Sequence, residues 1–241
     1  MIFLKHQIKN FLGLLYYHGF HQFRKVGNRC LIYHAFGAEL KHDTYGISIN
    51  INKFKDHLKY LKDNYQLTEI NDFTHNEISV SLSIDDGYKD TLDAIDNLNT
   101  NNIPFSLFVT TDNINKDGYL SEKDLSDISK LTNSTIGSHG LSHVKLDSIS
   151  YDLQLKEISE SKEILQKITS KGINSMSFPH GSYNDDTLNI LTKLKYESAV
   201  CSKKGFNTSE TDKFQLNRSE IIASDKIIDL KRKIIGFYDY Y

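Results

Sequence analysis

The sequence predicts an α/β protein whose parallel strands and connecting helices form a barrel-like arrangement. From residue 29 onward, short apolar, β-branched runs alternate with segments of helical period, and about seven such units fit into residues 29–241. Strands that alternate with helices of this length are typical of a parallel sheet with crossover helices. An open, doubly wound sheet of the flavodoxin-like kind is the alternative that this pattern leaves open.

Seven strands and three helices can be predicted from local patterns. The apolar runs predicted as strands are residues 30–36, 78–84, 103–110, 135–138, 175–178, 196–201 and 214–222. Apolar residues recur on one helical face over residues 54–65 and again over residues 151–168, where Gly172 is expected to end the helix. A further helix is predicted to begin at Asn184, whose side chain suits an N-cap.

Composition and charge exclude several classes of protein. Net charge is −2, so no bulk electrostatic attraction to nucleic acid or to an anionic membrane is expected. With 39% hydrophobic and 25% charged residues, the chain is typical of globular proteins and not of disordered ones. Cys30 and Cys201 do not form the pattern of a disulfide framework, and they favour a reducing compartment.

The N-terminal segment has a composition of its own. Residues 1–28 contain four basic side chains and no acidic one around an apolar run at 11–17, which is shorter than the ~20 residues that span a bilayer. No small-residue cleavage site follows. We therefore predict a basic, amphipathic extension over 1–28, packed on a catalytic domain of residues 29–241 or lying at a membrane surface. A cytoplasmic location is expected, and a secreted or periplasmic one stays open.

Three polar clusters fall at predicted strand ends, where the chemistry of a parallel β/α fold gathers. In chain order, they are an acid pair at 85–86, a histidine pair at 139 and 143, and a Pro-His turn at 179–180. Singly, each is ordinary turn chemistry or a common spacing. Together, one carboxylate and two histidines would make a three-ligand site with an open position for water, which is typical of catalytic zinc.

These motifs, in this order, resemble those of the polysaccharide deacetylases, the NodB-homology group of carbohydrate esterase family 4. The Asp-Asp-Gly core at 85–87 matches their first motif, and the spacing of His139 and His143 matches their second, with Gly140 where Ser or Thr is usual. The resemblance extends from about residue 31 to the C-terminus. It implies a distorted (β/α)7 barrel and the metal-dependent removal of acetyl groups from sugars, N-acetyl more than O-acetyl.

The resemblance also implies roles for individual residues. Asp85 corresponds to the general base. The implied ligands of a divalent metal, zinc in the first place, are Asp86, His139 and His143. His180 follows Pro179 and is implied to donate its backbone N–H to the oxyanion of the tetrahedral intermediate, a contact worth about 10²–10³ in rate.

The chain departs from the family pattern at positions that matter for the mechanism. Ser177 stands where an arginine usually orients the base, and Arg218 is the predicted replacement, although an exposed arginine at a strand end is the simpler interpretation. The chain has no tryptophan, so the tryptophan-bearing motif is absent, and no Leu-x-His supplies the general acid. His180 and His34 are the imidazoles left for that role, and the sequence does not choose between them.

The expected substrate is an acetylated amino-sugar glycan of the cell surface or an exopolysaccharide, or a lipid-linked sugar precursor. The candidates for contacts with the sugar are Tyr88, Pro179, Tyr183 and Arg218, although core tyrosines are the simpler interpretation for the two aromatic residues. Two alternatives stay open. One is an amidohydrolase of a small cyclic amide, and the other is a non-catalytic glycan-binding protein with a vestigial site, against which the retained aspartates and histidines argue.

Overall fold

The computed structural model describes residues 12–13, 15, 26–73 and 77–239. Nearly all of the predicted N-terminal extension lies outside these residues, so its packing and its membrane contact stay predictions. No helix within the described ranges combines the length and the apolar character needed to cross a bilayer.

Eight strands form one sheet, and every pairing between them is parallel. The strands are β1 Gly27–Tyr33, β2 Gln66–Leu67, β3 Ile78–Ile84, β4 Phe105–Val109, β5 Ser134–Ser138, β6 Ser175–Ser177, β7 Ser198–Val200 and β8 Arg218–Glu220. Their order is β7-β6-β5-β4-β3-β1-β8, with β2 beside β3. Val200 in β7 bridges to Leu216, two residues before β8, so the two ends of the sheet meet. The prediction of a barrel is confirmed over that of an open sheet.

Six α-helices occur in the described chain, five of them between strands and the last after β8. They are α1 Ile51–Asn64, α2 Thr91–Thr100, α3 Glu122–Ser129, α4 Tyr151–Thr169, α5 Asp185–Lys193 and α6 Ile227–Ile234. Asn184 caps α5 as predicted, because its side chain accepts the N–H of Thr187. The predicted end of α4 is wrong: Ser170 adopts the left-handed conformation after Thr169, and Gly172 lies beyond the cap.

The strands are shorter than the apolar runs that predicted them. Tyr196 and Cys201 are buried although both lie outside β7, so the run reports burial in the barrel and not strand pairing alone. At the other end of the chain, β1 begins at Gly27. Gly27 and Asn28 are therefore part of the barrel, although the sequence pattern assigned them to the N-terminal extension.

The first strand is bound to the far end of the chain by a buried ion pair. The guanidinium of Arg29 on β1 lies 2.7 Å from the carboxylate of Asp239, and its Nε donates to the carbonyl of Ile234. The same guanidinium lies 4.0 Å from the centre of the Phe206 ring. Because Arg29 is fully buried, these partners compensate the loss of its hydration.

Candidate active site

The carboxyl ends of the parallel strands open on one cleft with a volume of about 570 Å³. Strand ends meet at the same mouth of a barrel, so residues distant in sequence come together there. The polar and aromatic side chains that line the cleft include His34, His42, Tyr45, Asp85, Asp86, Tyr88, Tyr119, His139, His143, His180 and Glu220.

Asp86, His139 and His143 converge in this cleft. The Nε2 atoms of His139 and His143 lie 3.4 Å and 3.3 Å from Oδ1 of Asp86, and one ligand atom from each residue lies within 4.8 Å of the others. Oδ1 of Asp86 is buried and has no hydrogen-bond donor among the described residues. An unsatisfied carboxylate oxygen that faces two imidazole nitrogens fits a cation held between the three.

The surroundings of His139 and Asp86 favour this ligand set. Nδ1 of His139 lies 2.8 Å from the carbonyl of Ser177, so an N–H at Nδ1 leaves the lone pair of Nε2 directed at the other ligands. Burial acts to raise the pKa of Asp86, but His139 and His143 outweigh it and hold that pKa well below its usual range. Asp86 itself has a φ of 74°, a left-handed conformation that is uncommon outside glycine.

Asp85 is buried beside this group and is held by Arg218. Two guanidinium nitrogens donate to the two carboxylate oxygens, each at 2.8 Å, and the hydroxyl of Ser177 donates to Oδ2 at 2.9 Å. Burial acts to raise the pKa of Asp85, but the charge of Arg218 outweighs it and lowers that pKa. Oδ2 of Asp85 lies 4.0 Å from Nε2 of His139.

The position of Arg218 decides between the two interpretations of this residue. Its side chain is 1% exposed, and its Nε donates to the carbonyl of Cys201, so the interpretation as an exposed arginine is wrong. The structure does not support the predicted contact between Arg218 and substrate, because the side chain is buried and does not line the cleft. The geometry is that of an arginine that orients a carboxylate.

The Pro179–Gly181 turn places His180 at the edge of the cleft. The residue has a φ of 58°, and its backbone N–H donates to no group within the described part of the chain. Its ring lies 4.5 Å from the ring of His143, and Nε2 lies 3.2 Å from the carbonyl of His143. Burial, followed by the charge of His143, lowers the pKa of His180.

Of the predicted sugar contacts, only Tyr88 lines the cleft. Pro179 is buried at the start of the turn, whereas Tyr183 stacks on Phe178 with ring centres 4.6 Å apart and donates its hydroxyl to Gln215. Neither side chain lines the cleft, so the structure does not support their prediction as substrate contacts.

His34 follows β1 and lies at the floor of the cleft. Its Nε2 is 4.0 Å from a carboxylate oxygen of Glu220, at the end of the neighbouring strand β8. Its Nδ1 is buried and has no hydrogen-bond partner among the described residues. The structure therefore supplies His34 with an acidic neighbour that sequence reasoning did not find.

An aromatic rim borders the cleft, and most of it was missed by sequence reasoning. Tyr88 stacks with Tyr119 at 5.1 Å, and its hydroxyl lies 2.9 Å from Nε2 of His42. Tyr45 lies further out and is 79% exposed. The carboxylate of Asp43 fixes the loop that carries Tyr45 by accepting the backbone N–H groups of Tyr45 and Gly46. No local pattern marks these loop residues, because only the fold brings them to the cleft.

Comparisons with known proteins agree with this geometry. The sequence model described as "Polysaccharide deacetylase" matches residues 73–199, which include the acid pair, the histidine pair and the proline turn. YxkH of Bacillus subtilis (strain 168), provisionally named a polysaccharide deacetylase, is 26% identical over 203 residues, which cover 79% of this chain and 70% of YxkH.

Solved structures show the same fold. The deacetylase PplD of Streptococcus pyogenes, determined in complex with acetate, has a TM-score of 0.76 and 22% identity, covering 87% of this chain and 98% of PplD. BC0361, a polysaccharide deacetylase from Bacillus cereus, gives the same score and identity over 86% of this chain and 69% of its own. IcaB from Ammonifex degensii has a TM-score of 0.74 and 15% identity over 90% and 98% of the two chains. With the family match spanning more than half of its residues, the chain belongs to the polysaccharide deacetylases and is a carbohydrate deacetylase of carbohydrate esterase family 4.

Proposed function

We propose that the protein hydrolyses N-acetyl groups of an acetylated amino-sugar glycan, or of its lipid-linked precursor, in a metal-dependent reaction. The observation that carries this proposal is the convergence of Asp86, His139 and His143 beside the arginine-paired carboxylate of Asp85. The cleft around them is open and large enough for sugar rings.

Asp86, His139 and His143 would hold a divalent cation, and their one carboxylate and two imidazoles suit zinc. When bound, the cation would polarise the acyl carbonyl and lower the pKa of a ligated water. Three protein ligands would leave a position for water, which is what a catalytic site requires.

Asp85 is proposed as the general base. Its lowered pKa keeps the carboxylate ionised at neutral pH, so it can accept a proton from the attacking water. Arg218 uses one lone pair on each oxygen and fixes the plane of the carboxylate, and Ser177 uses the second lone pair of Oδ2, so the second lone pair of Oδ1 is the one that stays available. The proposed base, Asp85, and the proposed metal ligand, Asp86, are therefore adjacent residues with different roles.

His180 is proposed to stabilise the oxyanion through its backbone N–H. That N–H has no partner within the described part of the chain, and the turn at Pro179 holds it at the edge of the cleft. A preorganised donor of this kind stabilises the charge that develops on the carbonyl oxygen during attack.

We propose His34 as the acid that protonates the leaving amine. Its ring lines the cleft beside Asp85 and Asp86, and its Nε2 lies 4.0 Å from a carboxylate oxygen of Glu220. The ring of His180 adjoins His143, a proposed metal ligand, so a cation there would disfavour a second positive charge. Of the two imidazoles that the sequence offered, His34 is the better placed acid.

The experiment that tests the proposed function is acetate release from a panel of acetylated bacterial glycans, with and without a chelator. We expect release from N-acetylated amino-sugar polymers, loss of activity with the chelator, and recovery when zinc is returned. Acetate release that the chelator does not affect would contradict the metal-dependent mechanism, and release from O-acetylated glycans alone would contradict the proposed substrate class.

We also propose that the enzyme acts at the cytoplasmic face of the membrane, on a glycan precursor assembled there. Supporting this location, Cys30 and Cys201 are both buried, free thiols, as expected in a reducing compartment. Membrane contact through residues 1–28 would draw on about 1 kcal/mol per basic residue and should weaken with salt. Cell fractionation at low and high salt tests the location, and mature protein in the medium or periplasm would contradict it.

A further inference from the structure

Helix α4 carries a buried polar stripe that no step of the proposed reaction uses. Gln154, Glu157 and Ser161 are buried and spaced three and four residues apart, so they lie on one face of the helix. A buried carboxylate is costly unless hydrogen bonds compensate the loss of its hydration. The donors that satisfy Glu157 therefore show what this face of α4 holds.

All the donors to Glu157 come from one short loop. Oε2 accepts the backbone N–H groups of Leu141 and Ser142, each at 2.9 Å, and Oε1 accepts the hydroxyl of Ser142 at 2.5 Å. Both carboxylate oxygens are thus engaged, and they bind two successive residues of the backbone. A contact of this kind fixes the path of the loop as well as its distance from the helix.

This loop is the segment between His139 and His143. Gly140 and His143 have φ values of 76° and 63°, so the backbone twice adopts the left-handed conformation within four residues. Ser161, one turn further along α4, adds a second tie, because its hydroxyl lies 2.8 Å from that of Ser138, which accepts the N–H of Gly140. An unusual backbone path persists only where its surroundings hold it.

The two histidines differ in how they are held. His139 is buried, and its Nδ1 lies 2.8 Å from the carbonyl of Ser177 on the next strand. His143 is half-buried and lies at the end of the loop that Glu157 holds. The backbone N–H groups of Thr111 and Asp112 hold the loop through the carbonyls of Gly140 and Leu141, and Glu157 holds its amides. Because one ligand is fixed by the barrel and the other by the loop, Glu157 contributes to the distance between them.

We infer that Glu157 is a positioning residue that sets the placement of His143 relative to His139, and through it the affinity of the site for its metal. The inference rests on the metal site of the proposed function. Groups that orient metal ligands from behind typically account for a factor of 10–100 in affinity. Glu157 acts by reach, by accepting the two amides and the hydroxyl of Ser142 together, and not by its charge toward the metal.

The test distinguishes the effect of the length of the Glu157 side chain from the effect of its charge. Glu157→Asp keeps the charge but shortens the side chain by one methylene, so the carboxylate no longer reaches both amides. Glu157→Gln keeps the reach and an acceptor oxygen but loses the charge. Glu163→Asp and Glu163→Gln, at an exposed position of the same helix, are the matched controls. The zinc dissociation constant of each metal-depleted full-length protein is measured by competition with a chromophoric chelator, and a melting curve checks that each is folded.

We expect Glu157→Asp to raise the zinc dissociation constant about 10–100-fold, Glu157→Gln to recover most of the affinity, and both controls to match the parent. Zinc affinity of Glu157→Asp equal to that of the parent overturns the inference, and so does a Glu157→Gln variant weakened as much as Glu157→Asp. If Glu157→Asp does not fold, Ser142→Ala decides, because it removes the bond to Oε1 alone, and unchanged affinity there overturns the inference. A parent protein that binds no zinc would instead overturn the metal site of the proposed function, and this inference with it.

Discussion

Arg218 and Asp85 form a bidentate ion pair across strand β1, with both N–H···O distances at 2.8 Å. Arg218 lies on β8, β1 lies between, and Asp85 follows β3, so the pair joins three strands at the mouth of the barrel. Ser177 donates to the same carboxylate from β6. The base is therefore held from two sides of the barrel, and its orientation does not depend on the loop that carries it.

We predict that Arg218→Lys lowers kcat by about 10²-fold, because an ammonium cannot hold both carboxylate oxygens and the base loses its orientation. Steady-state acetate release on an N-acetylated oligosaccharide measures the change. Arg232→Lys, at a part-exposed position of α6, is the control and should match the parent. Equal kcat values for the two variants would show that the orientation of Asp85 is not limiting.

Changing each of the two adjacent aspartates to asparagine should impair a different property of the enzyme, activity in one variant and metal binding in the other. Asp85→Asn should retain the metal and lose most of the activity, because the amide cannot accept the proton. Asp86→Asn should bind metal much more weakly, because it replaces a charged ligand with a neutral one. Elemental analysis of both variants, with acetate release beside it, checks this, and full metal content in Asp86→Asn would remove that residue from the ligand set.

His34→Gln is predicted to reduce kcat by about 10²–10⁴-fold, which is the effect expected when a general acid is removed, with little change in KM. His180→Ala should lose far less, because it keeps the backbone N–H that is proposed to hold the oxyanion. An acetyl ester with a good leaving group should restore the activity of His34→Gln, since such a leaving group needs no proton. A larger loss in His180→Ala than in His34→Gln would reverse the two assignments.

Tyr45→Ala should raise KM for an oligosaccharide substrate about 2–10-fold while leaving activity on a monosaccharide unchanged. Tyr45 lines the cleft but is 79% exposed, and a stacked ring is worth about 0.5–1.5 kcal/mol. Tyr45→Phe keeps the ring and should behave like the parent. If the KM of Tyr45→Ala equals that of the parent for substrates of every chain length, sugar rings do not stack at this position.

His57 should make the stability of the fold depend on pH. Burial lowers the pKa of His57 to about 4, whereas the unfolded chain titrates near 6.5. Between these values the unfolded state binds more protons, so the contribution of His57 is complete above about pH 6.5 and is lost as pH falls toward 4. The loss amounts to about 3 kcal/mol.

Urea unfolding of the parent and of His57→Gln at pH 7.5 and pH 4.5 measures this contribution. The parent should lose more free energy of unfolding between the two pH values than the variant, since glutamine does not titrate. Equal losses in the two proteins would place the pH dependence in other groups.

Local patterns predict some parts of this molecule well, for reasons that particular elements illustrate. β3 could be predicted to the residue because Ile78–Ile84 alternates apolar residues with small serines, which is the period of a strand. Helices α2, α3 and α6 could not be predicted from local patterns, because each is only eight to ten residues long and buries few apolar side chains. Helix α4 is long and strongly periodic, but its end depends on a left-handed serine, which no propensity predicts.

The candidate site also contains some residues that sequence patterns predict and others that they do not. The acid pair and the histidine pair could be found because each directly follows a strand and parallel strands end at one mouth of a barrel. The pairing of Arg218 with Asp85 spans 133 residues; the serine at position 177 suggested it from the sequence, and the strand order explains how the two residues meet. Glu157 occurs in a helix whose sequence reads as amphipathic, and its role depends on a loop that packs against the helix in three dimensions. Such contacts become visible only once the fold is known.

The ion pair between Arg29 and Asp239 also bears on how the protein is made. The first strand is synthesised 210 residues before the partner of its buried cation exists. Until residue 239 has left the ribosome, the guanidinium must stay in water, because an unpaired charge inside the barrel would be costly. The nascent chain can therefore form helices and strand pairs as it emerges, but the base of the barrel closes last. Folding of this domain is therefore completed only once residue 239 is free to return to the first strand.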